Sequence, residues 1–227
     1  MSLSLEEYQA GQVLLIDKPL EWSSFQAVNK IKHGIKRKFN IKKIKVGHAG
    51  TLDPMATGLL IVCTGKATKT IQSIQDTDKE YTGTITLGIV SASYDSEGPF
   101  IEICDYSHVT EDMIIETTNQ FKGDILQAPP IFSALKKDGK PLYEYARAGE
   151  EVEIKKRPVR IDAFEITRIE LPEIDFRIAC TKGTYIRSIA HDFGKALNSG
   201  SYLSALRRTK IGDYNVDDAT LVNEWEV

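Results

Sequence analysis

The sequence predicts an α+β fold, a mixed and mostly antiparallel sheet with helices packed against it. Three observations lead there. Between residues 79 and 90, Tyr81, Gly83, Ile85, Leu87 and Ile89 alternate with Thr82, Thr84 and Thr86, the period of a half-buried strand. Residues 158–169 and 174–181 are two strand-like runs separated by a short break, which reads as an antiparallel pair. Two apolar sets instead recur at helical spacing: Phe25, Val28, Ile31 and Ile35, and later Ile186, Ile189, Ala190, Phe193 and Leu197.

The remaining elements follow in order. Residues 12–16 read as a strand, and Trp22-Ser23-Ser24 offers a cap for the first helix, whose other face carries lysines. Residues 59–63 are all apolar and read as a short buried strand, followed by a short helix over 66–74. A polar turn at 91–99, a strand at 100–104 and a helix at 110–121 come next. Residues 141–149 open on Pro141 and close on Gly149, the punctuation of a helix. Thr184 is placed to cap the helix that begins near Ile186, and residues 203–209 lead into a strand near Ile211. No repeat, low-complexity segment or linker divides the chain, so a single domain over residues 1–227 is expected.

The 227 residues suffice for one sizeable core or for a domain with a small appendage, and 41% hydrophobic with 27% charged residues is an ordinary soluble composition. The net charge of −3 by itself argues against a polyanion partner, but the average conceals a block. Lys30, Lys32, Lys36, Arg37, Lys38, Lys42, Lys43 and Lys45 follow one another with no acidic residue among them. Such a block is often a solvated face; placed directly before the loop described next, it reads as a phosphate-binding surface. Cys63, Cys104 and Cys180 are odd in number, far apart and each in an apolar run, so buried free thiols are expected rather than a zinc site or a disulfide framework. The first eleven residues carry Glu6 and Glu7 and lack the layout of a signal peptide, and no apolar run is long enough to span a membrane. A reduced cytoplasm is the expected home.

Residues 46–60 organise the chain. Gly47, Gly50 and Gly58 permit backbone angles and close approaches that other residues resist. Pro54 fixes its own backbone and pushes Asp53 toward an extended conformation, so the carboxylate is presented by a stiff loop. Asp-Pro alone is ordinary turn chemistry. Here His48 stands five residues earlier in a loop rich in special backbone positions, the form of a site held on a rigid scaffold. Gly58 and Gly65-Lys66 suggest a phosphate-binding loop, but six residues separate the glycines where four are needed, and Ala67 stands where Ser or Thr would hold magnesium. A nucleotide-hydrolysing reading is therefore excluded.

As written, residues 46–60 resemble the GHxGxLDPxATGxL signature of the TruB-type pseudouridine synthases, which modify the T-loop of transfer RNA. Other stretches resemble further motifs of that family. Lys18-Pro19-Leu20-Glu21-Trp22-Ser23 is similar to its KPxGxxS motif, with Glu21 where the family has glycine; a positive backbone angle there would store about 1 kcal/mol. Lys79-Glu80-Tyr81 followed by Leu87-Gly88 resembles the motif whose tyrosine stacks on the target base, the other reading of Tyr81 being a core or cross-strand aromatic. Arg187 falls in the first turn of its helix, where the dipole disfavours a cation and an anion is wanted; a surface salt bridge is one reading. The resemblance of residues 182–187 to the KGTYIR motif implies another, a pairing with the catalytic aspartate that keeps it ionised and aimed. Leu206-Arg207-Arg208 resembles the LRR segment, whose leucine lines the base pocket; a core leucine is the alternative. Residues 127–136 and 141–149 resemble the RNA-gripping insertion, about 124–158 here, and read otherwise as a surface hairpin and helix. Family members commonly continue into a PUA domain, for which the residues after 214 leave no room.

The resemblance covers most of residues 12–214 and implies the pseudouridine synthase fold with a central cleft. It implies isomerisation of uridine to pseudouridine at position fifty-five of tRNA: the bond from C1′ to N1 breaks, the uracil turns, and C5 bonds to C1′. Atoms are conserved, so no cofactor and no metal is implied, and the T-arm of tRNA is the partner of a chain expected to be a monomer. Asp53 would act on the ribose of a flipped-out uridine, either as nucleophile at C1′ or as base toward a glycal. His48 would fill or contact the space the base leaves, or else cap the loop; Tyr81 would stack and Leu206 would pack the pocket. Lys36, Arg37, Lys38, Lys42 and Lys43 would meet the RNA backbone. A guide-dependent synthase on another RNA, an RNA-binding or RNA-folding module and, more remotely, a nuclease are the competing readings. Retention of Asp53, Tyr81 and Arg187 together favours a synthase over a binder.

Overall fold

The computed structural model describes residues 3–226. The chain forms two compact units, one of the residues up to Tyr81 together with those from Leu206 onward, the other of Thr82–Ala205, the division falling within two strands.

The first unit opens on a helix absent from the sequence reading, α1 (Leu5–Ala10), closed by a reciprocal capping box between Ser4 and Glu7. Strand β1 (Val13–Lys18) leads to α2 (Ser24–Lys38), which Ser23 caps as expected, with Gln26 completing the box. Ala27, Val28, Ile31 and Ile35 are buried, but Phe25 is 70% exposed. At 100° per residue Phe25 lies roughly 100° round the helix from the centre of the buried stripe, which Ser24 and Ala27 complete instead. Then come β2 (Val46–His48), β3 (Ala56–Thr64), a 3-10 turn over Gly65–Thr70, α3 (Ile71–Gln75) and β4 (Lys79–Leu87).

The second unit begins within β4. The expected strand to residue 90 breaks at Gly88, whose φ of +88° ends the ladder, and a separate hairpin of β5 (Ile89–Ser91) and β6 (Phe100–Ile103) follows. Helix α4 (Glu111–Thr118) is capped by Thr110 and runs into a 3-10 turn. Next are β7 (Gly123–Gln127), the small hairpin of β8 (Lys136–Lys137) and β9 (Lys140–Pro141), and α5 (Leu142–Ala148). Pro141 stands at the N-cap of α5 rather than inside its first turn, and Gly149 ends it in a left-handed conformation. Strands β10 (Arg157–Glu170) and β11 (Glu173–Cys180) pair antiparallel as expected, and β10 also pairs antiparallel with β7. Helix α6 (Ile186–Ala196) buries Ile186, Ile189, Ala190 and Phe193. Phe121, Phe164, Phe176 and Phe193 form this unit's aromatic core, with neighbouring ring centroids 5.5 to 6.1 Å apart. Strand β12 (Ser201–Ile211) begins ten residues before the strand expected near Ile211 and returns the chain to the first unit. There β13 (Tyr214–Asn215) pairs with its end, and β14 (Thr220–Leu221) lies parallel to β1.

Strand β3 is the axis of the first unit. Every residue from Gly58 to Thr64 is buried, which is why the run reads as continuously apolar rather than alternating. One edge pairs antiparallel with β1; the other pairs antiparallel with β2 near its end and parallel with β12 near its start. All three cysteines are free; Cys63 and Cys180 are buried as expected, whereas Cys104 is only half-buried. Among the described residues no helix is long and apolar enough to cross a membrane.

Candidate active site

Asp53 is half-buried at the start of β3, where the Ala56 N–H donates to the Asp53 carbonyl at 3.1 Å and closes the turn. Both of its chain neighbours are tied down. The Ser24 hydroxyl, buried in the first turn of α2, accepts from the Leu52 N–H at 2.8 Å and donates to the Leu52 carbonyl at 3.0 Å. The Glu21 N–H donates to the Pro54 carbonyl at 2.9 Å. The turn that presents Glu21 is gathered by the fully buried Lys18, whose Nζ donates to the carbonyls of Pro19 and Trp22 at 2.9 and 2.6 Å. The carboxylate is thus aimed by backbone held on two sides.

A buried arginine braces the rest of the loop. Arg208 is 2% exposed and donates to the carbonyls of Leu59 (2.8 Å), Gly50 (3.1 Å) and Thr51 (3.4 Å). It stands opposite Gly58, where a Cβ would lie 2.4 Å from the Arg208 carbonyl oxygen, so only glycine fits. Its neighbour Arg207 makes a two-point ion pair with Asp17, at 3.0 and 2.7 Å. The site's supports that sequence reasoning missed are Lys18, Arg208 and the second role of Ser24. The first two lay inside quoted motifs, but a buried cation bonded to carbonyls looks like any surface cation in a sequence.

Of the other expected residues of this unit, two are fixed by register against β3 and the third lies on β4. Leu206 pairs in register with Ala56 and is 9% exposed. Tyr81, also 9% exposed, lies on β4. His48 pairs in register with Val62, six positions along β3 from Ala56, so its backbone is set apart from that of Asp53. Burial, reinforced by the charge of Arg208 and opposed by the backbone at Gly50, holds the His48 imidazole below its ordinary range, which leaves it neutral at pH 7. Of the basic block, Lys36, Lys42 and Lys43 line an open cavity, whereas Arg37 and Lys38 are exposed outside it.

In the second unit Arg187 occupies the first turn of α6 and is 7% exposed, so it is no surface cation. It pairs with the buried Asp95 at 3.3 Å and donates to the carbonyls of Ser93 (3.2 Å) and Phe132 (3.1 Å). Asp95 in turn accepts from the Ser93 hydroxyl and from the Glu97 N–H. An anion beside the helix start is what the dipole argument asks for, and Asp95 supplies it from the turn after β5. Thr184 does not cap α6: its hydroxyl donates to the Thr181 carbonyl. The start of α6 has no side-chain cap; Gln127 instead accepts from the Tyr185 N–H at 2.8 Å and donates to the Tyr185 carbonyl at 3.0 Å, which fixes the residue before α6 to the end of β7.

A family model described as the TruB family pseudouridylate synthase (N terminal domain) matches residues 36–186. A tRNA pseudouridine synthase B of Flavobacterium johnsoniae is 61% identical over 97% of this chain and 97% of its own length. The protein of the same name from Phocaeicola vulgatus is 49% identical over 96% of this chain and 94% of its own. Among solved structures, a Cbf5-Nop10-Gar1 complex contains a chain that superimposes with a TM-score of 0.68 at 32% identity, over 92% of this chain and 50% of that one. Motifs, loop and matched length agree: the chain belongs to the TruB family of pseudouridine synthases.

Proposed function

We propose that Asp53 is the group through which this chain turns uridine into pseudouridine in the T-loop of transfer RNA, at position fifty-five. The observation that carries the reading is the double tether of Leu52 and Pro54, which fixes the backbone on either side of one carboxylate. A carboxylate held in this way can stabilise positive charge at C1′ or bond to it while N1 departs. The freed uracil turns, C5 bonds to C1′, C5 releases its proton and N1 gains one. Atoms balance without a cofactor. Tyr81 stacks on the flipped base and Leu206 packs against it. Arg187, held by its pair with Asp95, belongs to the substrate-binding set in this reading. The displacement of His48 along β3 suits contact with the space the base leaves rather than with the base itself. Lys36, Arg37, Lys38, Lys42 and Lys43 meet backbone phosphates, and the segment of about residues 124–158 grips the RNA. The enzyme acts as a monomer in the cytoplasm.

Tritium release from C5-labelled uridine in an unmodified tRNA transcript tests this. The wild type is expected to release tritium and Asp53→Asn to release none while still binding the RNA. Activity in the variant would overturn the role of Asp53; binding without release by the wild type would overturn the synthase reading for this RNA.

A further inference from the structure

The turn after β5 grips α6 at two successive levels. Arg187 and His191 stand four residues apart on that helix, so they share a face with their Cβ atoms roughly 6 Å apart. Asp95 and the Ser93 carbonyl meet the Arg187 guanidinium at 3.3 and 3.2 Å. Tyr94, the residue between them, lies flat on His191, its ring inclined to the imidazole by 12°. Its backbone turns through φ +67°, the left-handed region that a residue with a Cβ adopts only when its surroundings hold it there. Two backbone bonds pin the turn: the Tyr94 N–H donates to the Ser91 carbonyl at 3.1 Å, and the Tyr94 carbonyl accepts from the Leu203 N–H at 3.0 Å. Glycine would take this conformation without steric cost, so the tyrosine is explained by what its ring touches.

The ring under Tyr94 tolerates no charge. His191 Nδ1 is buried and has no hydrogen-bond partner among the described residues. The groups facing His191 are Arg187, Asp192 and Lys195 on its own helix, and Tyr94 and Asp95 from the turn. Asp95 is committed to Arg187, while Asp192 and Lys195 are exposed and oppose each other, with Lys156 acting on Asp192 from before β10. A proton on His191 would therefore be a buried charge without a partner, one helical turn from a guanidinium. We propose that the Tyr94–His191 stack is the positioning element of Arg187: it holds the left-handed turn and thereby keeps Asp95 and the Ser93 carbonyl on the guanidinium. When His191 takes a proton, it leaves the stack for water and the turn relaxes. Tyr94 and His191 act through Arg187 and not on the RNA. Their role rests on the reading of Arg187 as a substrate-binding residue of the synthase.

Single-turnover tritium release from a C5-labelled tRNA transcript at saturating RNA tests this, measured together with the Kd for the RNA between about pH 8 and pH 5. His191→Ala and Tyr94→Gly remove the stack. Each is expected to slow release about tenfold at pH 8 with Kd within about twofold of wild type, because RNA affinity is spread over many backbone contacts. His191→Phe and Tyr94→Phe keep two stacked rings and are expected to restore the rate to within about twofold. In the wild type and in Tyr94→Phe the rate should fall at least about twofold from pH 7 to pH 5; in His191→Phe, whose ring takes no proton, that fall should be lost. Urea unfolding establishes that each variant is folded. If the two variants lacking the stack do not fold, the pH profile of His191→Phe against Tyr94→Phe decides. A wild-type rate without the stack, or an unchanged acid fall in His191→Phe, would overturn the proposal. No release by the wild type at any pH would overturn the synthase reading and the positioning role with it, an outcome set apart from the other two, which need an active wild type.

Discussion

Glu21 sits at φ +65°, the left-handed region, which costs a residue with a Cβ about 1–2 kcal/mol. Its side chain is exposed, while its N–H holds the Pro54 carbonyl beside Asp53. The strain is therefore tied to a backbone bond that supports the site. Glu21→Gly removes the steric cost but adds about 0.4–1 kcal/mol of freedom to the unfolded chain. A net gain of up to about 1 kcal/mol in urea unfolding is expected, with kcat unchanged. A loss of stability would mean that the position carries no strain. Arg187 is a second residue whose sequence told part of its story. Its place in a first helical turn announced an anionic partner, but nothing in the chain singled out Asp95, which lies in a polar turn that also carries Glu97.

Helix α2 does more for the site than its apolar stripe suggests. Its first turn spends one serine on the cap and the next on the catalytic loop: Ser23 closes the helix, and Ser24 satisfies both backbone groups of Leu52. Ser24→Ala leaves the cap intact and two buried polar groups without their partner. A loss of about 1–3 kcal/mol of stability follows from the unsatisfied pair. The Asp53 loop is also freed on one side, and a shift of the order of 1 Å in a reacting group costs up to about 100-fold in rate. Single-turnover tritium release by Ser24→Ala should therefore be at least about tenfold slower at saturating RNA. A rate equal to wild type would show that Glu21 and Arg208 position Asp53 without help from the helix. The cap and the buried face of α2 were both legible as local patterns. The Ser24–Leu52 bond was not, because it joins positions 28 residues apart and Ser-Ser offers two candidates for one cap.

Across the whole chain, periodicity and turn chemistry revealed most elements. What stayed hidden were bonds between distant segments: Lys18 and Arg208 buried against carbonyls, Gln127 bonded to both backbone groups of Tyr185, and the lysines of α2 gathered with those after β3. The histidines are of this kind too. His48 in the first unit and His191 in the second are both held below the ordinary imidazole range, chiefly by burial. His191 lies flat on Tyr94, with ring centroids 3.9 Å apart. A depressed histidine is neutral when folded and takes a proton when unfolded, so the unfolded state binds more protons between the folded pKa and 6.5. The stability each neutral ring contributes is fully present above pH 6.5 and is lost as pH falls through its folded value. The slope is at most about 1.4 kcal/mol per pH unit for each histidine. Urea unfolding from pH 7.5 down to 5 should show this decline. His191→Phe keeps a ring against Tyr94 and His48→Gln keeps a neutral polar group, so each should flatten part of the decline and both together most of it. An undiminished slope in the double variant would overturn the assignment to the two rings; Asp175 would not explain it, because the Arg168 contact holds its pKa down and its contribution is lost only as pH falls below 3.8.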